Sequence, residues 1–227
     1  MTADNISRSS NPDARSHLFP VFLKLKNRIC IIIGGGRVAR RKAERLLECG
    51  AHIVVISPRA EEQIIQWAAE GLLTWHKKKF TEADLDGAFM AFAATNSSAG
   101  NKRALEACHK KGVLVNAADA PLLCDFFIPS VIRKKSLAVA ISTEGKSPLF
   151  ARKLREELEQ VLTEEHGEFL EMLGRARETI QQTIPDASRR KIILKSLVYS
   201  DMLSLLKAGK RKEAQKRIQQ CILSLQD

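Results

Sequence analysis

Paired cysteines are missing from this 227-residue chain. Its five cysteines (Cys30, Cys49, Cys108, Cys124, Cys221) are odd in number and no two form a C-x-x-C pair, which argues against a disulfide framework and a thiolate zinc site. Reduced thiols at core or helix positions are expected instead. The five histidines (His17, His52, His76, His109, His166) show no i, i+4 pairing and no carboxylate at ligand spacing, so no bound metal is expected. Aromatics are scarce, with 9 Phe, 2 Trp and 1 Tyr. The basic runs Lys77-Lys78-Lys79 and Arg133-Lys134-Lys135 carry none between them, so no base-stacking platform and no nucleic-acid partner are expected. No apolar run approaches the roughly 20 residues that span a bilayer. The opening MTADNISRSSNPDARSH has no hydrophobic stretch for a secretory signal, so the expectation is no membrane association and a cytoplasmic location. A G-x-S-x-G elbow and a P-loop are absent too, which disfavours acyl and phosphoryl transfer.

What is present is an ordinary globular composition, 44% apolar and 28% charged, with a net charge of +11. That length suits one large domain or two small ones. Residues 1–149 hold 22 basic and 14 acidic side chains (+8), against 15 and 12 (+3) in 150–227. Such a surface suits nucleic acid, an anionic membrane face, or a phosphate or polycarboxylate ligand, and charge alone does not choose among them.

Residues 1–17 are polar and read as a loose arm, and Phe19-Pro-Val-Phe-Leu23 begins the ordered part. The continuous β-branched run Arg28–Ile33, closed by Gly34, has the pattern of a strand buried on both faces of a parallel sheet. Helical spacing of Val38, Ala39, Ala43, Leu46 and Leu47 predicts a helix to Cys49, with Gly50 past its end. Further elements follow in alternation: strand His52–Ile56, helix Ala60–Glu70, strands Leu73–His76 and Ala88–Ala94, helix Ser98–Lys111 closed by Gly112, and strand Val113–Asn116. This predicts an α/β domain with a doubly wound parallel sheet over residues 18–116. Two strand-like runs, Phe126–Ile132 and Leu137–Ser142, flank a basic turn and predict a hairpin within a segment 117–146. Residues 147–227 read as helical, from an N-cap at Ser147 with Pro148 behind it. Segments end near Leu162, Gln182, Leu206 and Leu225, with breaks at Pro185 and Gly209.

Between the first strand and helix, Gly34-Gly-Gly36-Arg37-Val38-Ala39 matches G-x-G-x-x-A, the dinucleotide pattern of Rossmann-type domains. Gly34 permits the tight turn, Gly36 lets backbone N–H groups approach a pyrophosphate, and Ala39 lets the helix pack close to the strand. Arg37, Arg40, Arg41 and Lys42 either add positive potential for phosphates or form an exposed face paired with Glu44 and Glu48. The second strand ends in Ile56-Ser57-Pro58-Arg59, without the acidic residue that usually bonds the ribose of NAD. Ser57 offers a hydroxyl and Arg59 could face a 2′-phosphate, so both NAD and NADP stay open. Thr95-Asn96 falls at the sheet's carboxyl edge, where the nicotinamide half rests, or is simply a helix N-cap region.

Asn116-Ala-Ala-Asp119-Ala-Pro121 follows the fifth strand on the same side. Asp119 is a candidate general acid/base or the cap of an Asx-Pro turn. Ser142-Thr143-Glu144-Gly145-Lys146-Ser147-Pro148 ends a strand and opens a helix. Its hydroxyls, ammonium and backbone donors form either a carboxylate receptor or plain punctuation.

These residues carry a resemblance. Phe19-Pro-Val-Phe22, Gly34 to Ala43, Ala93-Ala-Thr-Asn96 with Asn101, Asn116 to Pro121, Phe127-Ile-Pro-Ser130 and Gly145-Lys-Ser-Pro148 resemble, in that order over residues 18–162, the precorrin-2 dehydrogenase/sirohydrochlorin ferrochelatase family. The same module forms the N-terminal part of multifunctional siroheme synthases. The resemblance implies NAD-dependent oxidation of precorrin-2 to sirohydrochlorin, in a homodimer joined by the β insert. It implies that Asp119 is the acid/base and, in bifunctional members, also serves chelation with Fe2+ as a second substrate. It places Ser142 and Thr143 in the same cleft, with Asn116, Lys146 and Ser147 as further substrate contacts. It also implies that length excludes the fused methyltransferase, and that Arg37 sits where some relatives are acidic. The competing reading is a Rossmann regulatory protein that senses NAD(H) and acts on a partner or nucleic acid. It leaves Asp119 and Gly145-Lys-Ser-Pro148 without a role.

Overall fold

A computed structural model describes residues 17–223, so all but the last residue of the expected arm lies outside the described residues. The chain divides into two compact units, 1–127 and 128–227.

The first unit is built on strands β1 (Ile29–Ile33), β2 (His52–Ile56), β3 (Thr74–His76), β4 (Met90–Ala93) and β5 (Leu114–Ala117). They form one sheet in the order β3-β2-β1-β4-β5, and every pairing is parallel. Helices α1 (Arg37–Glu48), α2 (Glu62–Ala69) and α3 (Ser98–Lys111) connect them. β1 and β4 are buried almost throughout because helices cover both faces. The order reverses between β1 and β4, so the loops leaving those two strands frame a crevice at the sheet's carboxyl edge. α3 starts where Ser97 Oγ accepts the Gly100 N–H and stops at Gly112, which is left-handed at φ 67°. One core cluster of this unit includes Ile31, Ile33, Ile56, Leu105 and Val115.

The second unit opens with the antiparallel hairpin β6 (Ser130–Lys134) and β7 (Leu137–Ile141). Helices α4 (Pro148–Val161), α5 (Glu164–Thr183), α6 (Ala187–Val198), α7 (Met202–Lys207) and α8 (Arg211–Leu223) follow. Ser147 caps α4 by accepting the Phe150 N–H, with Pro148 at the first helical position. Met172, Ile180, Ile193, Leu197 and Met202 form its helical core.

Two expectations need correction. The first hairpin strand begins at Ser130 rather than Phe126, because Phe126 is used by the first unit. Its carbonyl accepts from Asn116 Nδ2 and its ring packs edge-on to Phe92 at 5.6 Å. Arg133 and Lys134 belong to β6, so only Lys135-Ser136 turn the chain. The segment expected to end near Leu206 is two helices. Ser200 Oγ donates back to Leu197 O at 2.7 Å, a local bond that competes with helical continuation.

Candidate nucleotide site and its acidic neighbour

The turn after β1 is fixed by its backbone. Gly34 N–H donates to Ile56 O at 2.9 Å, and Glu61 N–H donates to Gly35 O at 2.7 Å. Gly34 sits at φ 122°, and a Cβ there would lie 2.3 Å from Ala94 O. A Cβ on Gly35 would meet Arg59 O at 2.2 Å and Ser57 Oγ at 2.5 Å. Gly36 is different: a Cβ would meet nothing within 4 Å. Gly36 also lines a cavity of about 1120 Å³ bounded by the ends of β1, β2 and β4. Two glycines thus hold the turn tight while the third leaves open space beside it. α1 starts there with no acidic residue in its first turn, so its free N–H groups are available to an anion.

Of the positions expected to contact a coenzyme, Gly34, Gly36, Ser57, Thr95 and Asn96 line this cavity. Arg37 and Val38 are exposed on α1, and Ala39 is fully buried, packing the helix to the sheet. Ser57 is buried, and its Oγ accepts the indole N–H of Trp75 at 3.1 Å. The basic face of α1 does not act as one surface. Arg40 pairs with Glu61 at 3.0 Å and with Glu44 at 3.8 Å. Lys42 Nζ instead donates to Asn116 Oδ1 at 3.1 Å and lies 5.1 Å from the Phe92 ring centroid. Burial, with Arg45 and Arg41 adding to it against a pull from Cys124, pushes the Lys42 amine down to about 8.

At the end of β4 one amide organises two loops. Asn101 is buried on α3, and its Oδ1 accepts from Thr95 N at 3.0 Å and Thr95 Oγ1 at 2.8 Å. Its Nδ2 donates to Thr95 O at 3.2 Å and to Asp119 Oδ1 at 2.9 Å. Asp119 itself is exposed. Asn116, the third residue of β5, is buried with both ends of its amide engaged, by Lys42 and by Phe126 O.

Ser142, Thr143, Lys146 and Ser147 lie in the second unit, at the turn between β7 and α4. Ser142 Oγ accepts from Glu144 N at 3.1 Å, Thr143 Oγ1 from Ser147 N at 3.2 Å, and Ser147 Oγ from Phe150 N at 3.2 Å. Each hydroxyl is held as an acceptor, which leaves its own hydrogen to donate. Lys146 is exposed, with Nζ 3.8 Å from Glu144 Oε2.

Asn101 and Trp75 are absent from the expected site residues. Asn101 carried a signal: it falls on the inward stripe Asn101, Ala104, Leu105, Cys108, where an amide needs partners. Trp75 carried none, because its partner is known only once β2 and β3 pair. Among the described residues, no three His, Cys, Asp or Glu side chains are gathered as a metal ion would require, and no helix is long and apolar enough to cross a membrane.

Strand order, glycine turn and cavity together define a Rossmann-type unit of the nicotinamide-nucleotide class. Matching family models describe residues 21–130 as putative NAD(P)-binding, 134–160 as sirohaem biosynthesis protein central, and 165–222 as sirohaem synthase dimerisation region. Siroheme synthase of Nitrosococcus oceani is 34% identical over 196 residues, covering 86% of this chain and 42% of the relative. That of Citrobacter koseri is 36% identical over 205 residues, covering 90% and 45%. The chain therefore spans less than half the length of these curated relatives. A solved structure, SirC, precorrin-2 dehydrogenase, superposes with a TM-score of 0.77 at 30% identity, covering 89% of this chain and 100% of that one. The chain belongs to the precorrin-2 dehydrogenase and siroheme synthase family.

Proposed function

We propose that the chain is a precorrin-2 dehydrogenase that uses NAD to oxidise precorrin-2 to sirohydrochlorin, with Asp119 as its acid/base. The observation that carries this reading is the run of hydrogen bonds from Thr95, on the cavity wall, through buried Asn101 to the Asp119 carboxylate. It ties a proton acceptor to the edge of a dinucleotide cavity.

Gly34, Gly36, Ser57, Thr95 and Asn96 would hold the coenzyme, with the amides of the β1–α1 turn facing its pyrophosphate. Bound there, it supplies the hydride acceptor. Dehydrogenation also releases a proton from the macrocycle, and the protein must take it. Asn101 fixes Asp119 Oδ1 at 2.9 Å, and Oδ2 has no partner among the described residues, so Oδ2 receives the proton. Asn116 acts by holding Lys42 and the Phe126 backbone, which anchors the loop that carries Asp119.

Precorrin-2 carries eight carboxylates, which the +8 balance over residues 1–149 would attract. Free hydroxyl hydrogens of Ser142, Thr143 and Ser147, with the exposed Lys146 ammonium, suit such groups. The match of 165–222 to a dimerisation region supports a homodimer. Burial pushes the Cys30 and Cys108 thiols up to about 11 and about 12, with Cys49 and Asp125 adding to it respectively, and all five cysteines are free. Unpaired thiols suit a reducing compartment such as the cytoplasm.

The test is an anaerobic assay of purified protein with precorrin-2 and NAD, following NADH absorbance and the tetrapyrrole spectrum. Coupled appearance of NADH and sirohydrochlorin is expected. Asp119→Asn should lose roughly 10²–10⁴-fold in rate while its coenzyme affinity stays within twofold of the parent. No NADH from the parent protein, or full activity in the variant, would overturn the reading.

A further inference from the structure

Residues 118–124 leave the end of β5 and return to its edge, and Asp119 rides on them. The base of this excursion is closed by backbone and side chain together. Asp125 N–H donates to Val115 O at 2.9 Å, and Asp125 Oδ2 accepts the Val115 N–H at 2.8 Å. One residue further along each arm, Asn116 Nδ2 donates to Phe126 O at 3.0 Å. β5 is an edge strand, so the returning chain takes up backbone groups that would otherwise need other partners.

Inside that base, one side chain binds the turn that carries Asp119. Cys124 Sγ accepts the Ala117 N–H at 3.1 Å, and its S–H is shared between Ala117 O and Ala120 O, each at 3.4 Å. The two carbonyls stand on either side of Asp119 in the chain. Cys124 is half-buried and packs against the first unit's core cluster, which anchors the sulfur. A cysteine that only filled space would need none of these polar contacts. Asn101 fixes the carboxylate at Oδ1, 2.9 Å away, whereas Cys124 fixes the backbone from which that carboxylate projects.

We propose that Cys124 is a positioning residue for the dehydrogenation: its thiol takes part in no bond change and holds the Asp119 turn so that the proton acceptor keeps its place. This rests on the reading of Asp119 as acid/base given above. Sulfur is a weak donor and a weak acceptor, so the three contacts add little to stability. Displacing a reacting group by about 1 Å, however, can cost on the order of 10²-fold in rate. The thiol therefore acts on turnover more than on folding.

The experiment is steady-state kinetics of the full chain with precorrin-2 and NAD, joined to hydrogen exchange at the Ala117 amide. Cys124→Ala should lower kcat roughly tenfold or more, leave the KM for NAD within about twofold, and speed exchange at Ala117. Cys124→Ser, whose hydroxyl can accept and donate in the same places, should recover part of the lost rate. Added to Asp119→Asn, Cys124→Ala should cost less than about twofold more, because the two residues act as one unit. A Cys124→Ala rate within twofold of the parent, a serine variant no better than the alanine one, or an undiminished loss in the Asp119→Asn background overturns the proposal and leaves the dehydrogenase reading in place. No NADH from the parent protein overturns both.

Discussion

Gly34 and Gly35 in the first unit and Gly167 in the second answer the same demand, a backbone approach too close for a Cβ, to different ends. Gly35 allows the turn after β1 to lie against Arg59 O, where a Cβ would stand 2.2 Å away, and so shapes a cavity wall. Gly167 allows α5 to lie against β6, where a Cβ would stand 2.4 Å from Lys134 O, and so closes a packing contact. Polar groups divide in the same way. In the first unit buried amides link them across the chain, as Asn101 does in Thr95–Asn101–Asp119 and Asn116 does in Lys42–Asn116–Phe126. The second unit has pairs such as Arg152–Glu156 and Lys153–Glu157 along one exposed helix face, each worth only a few tenths of a kcal/mol. The first unit thus constrains side chains toward a ligand, and the second constrains backbone toward a fold.

Substitutions can break that comparison. Gly35→Ala should have the largest effect, with a loss of about 3 kcal/mol in denaturant unfolding from overpacking against backbone and a loss of coenzyme affinity. Gly167→Ala should cost about 2 kcal/mol by the same mechanism and leave coenzyme affinity unchanged. An equal fall in affinity for both variants would erase the distinction between the units.

A smaller effect should appear as a pH dependence. The Lys42 amine sits at about 8 when folded, against an ordinary 10.5. Below about 8 both folded and unfolded chains carry the proton, so the cost of burying the cation is fully present. Between about 8 and 10.5 only the unfolded chain holds it, and stability rises with pH. Lys42→Met removes this titration, so the parent should gain on the order of 2 kcal/mol relative to the variant from pH 7 to 10.5. Parallel stability curves for the two proteins would mean that Lys42 is not buried against Asn116.

Much of the first unit was legible because its signals are local. A continuous run at Ile29–Ile33 followed by G-x-G-x-x-A defines strand, turn and helix within a dozen residues, and Ser97 and Gly112 mark the ends of α3. What was not legible depends on distant partners. Phe126 reads as strand by composition, yet its neighbours are Asn116 and Phe92. Lys42 reads as one of a row of helix-surface cations, yet its partner is 74 residues away. Asn101 and Trp75 each bond a residue 18 positions off. In the second unit the break at Ser200 has no Gly or Pro to announce it, only a hydroxyl that bonds back to Leu197.

The proposed function depends on the turn after β1 holding a dinucleotide through its backbone at Gly36, where the cavity is open and a Cβ would meet nothing within 4 Å. Equilibrium titration of NAD into the parent chain and into Gly36→Ala tests this most directly. Saturable binding by the parent, at least tenfold weaker binding by the variant, and unfolding midpoints that coincide are the predicted result. Equal affinity in the two proteins would contradict it.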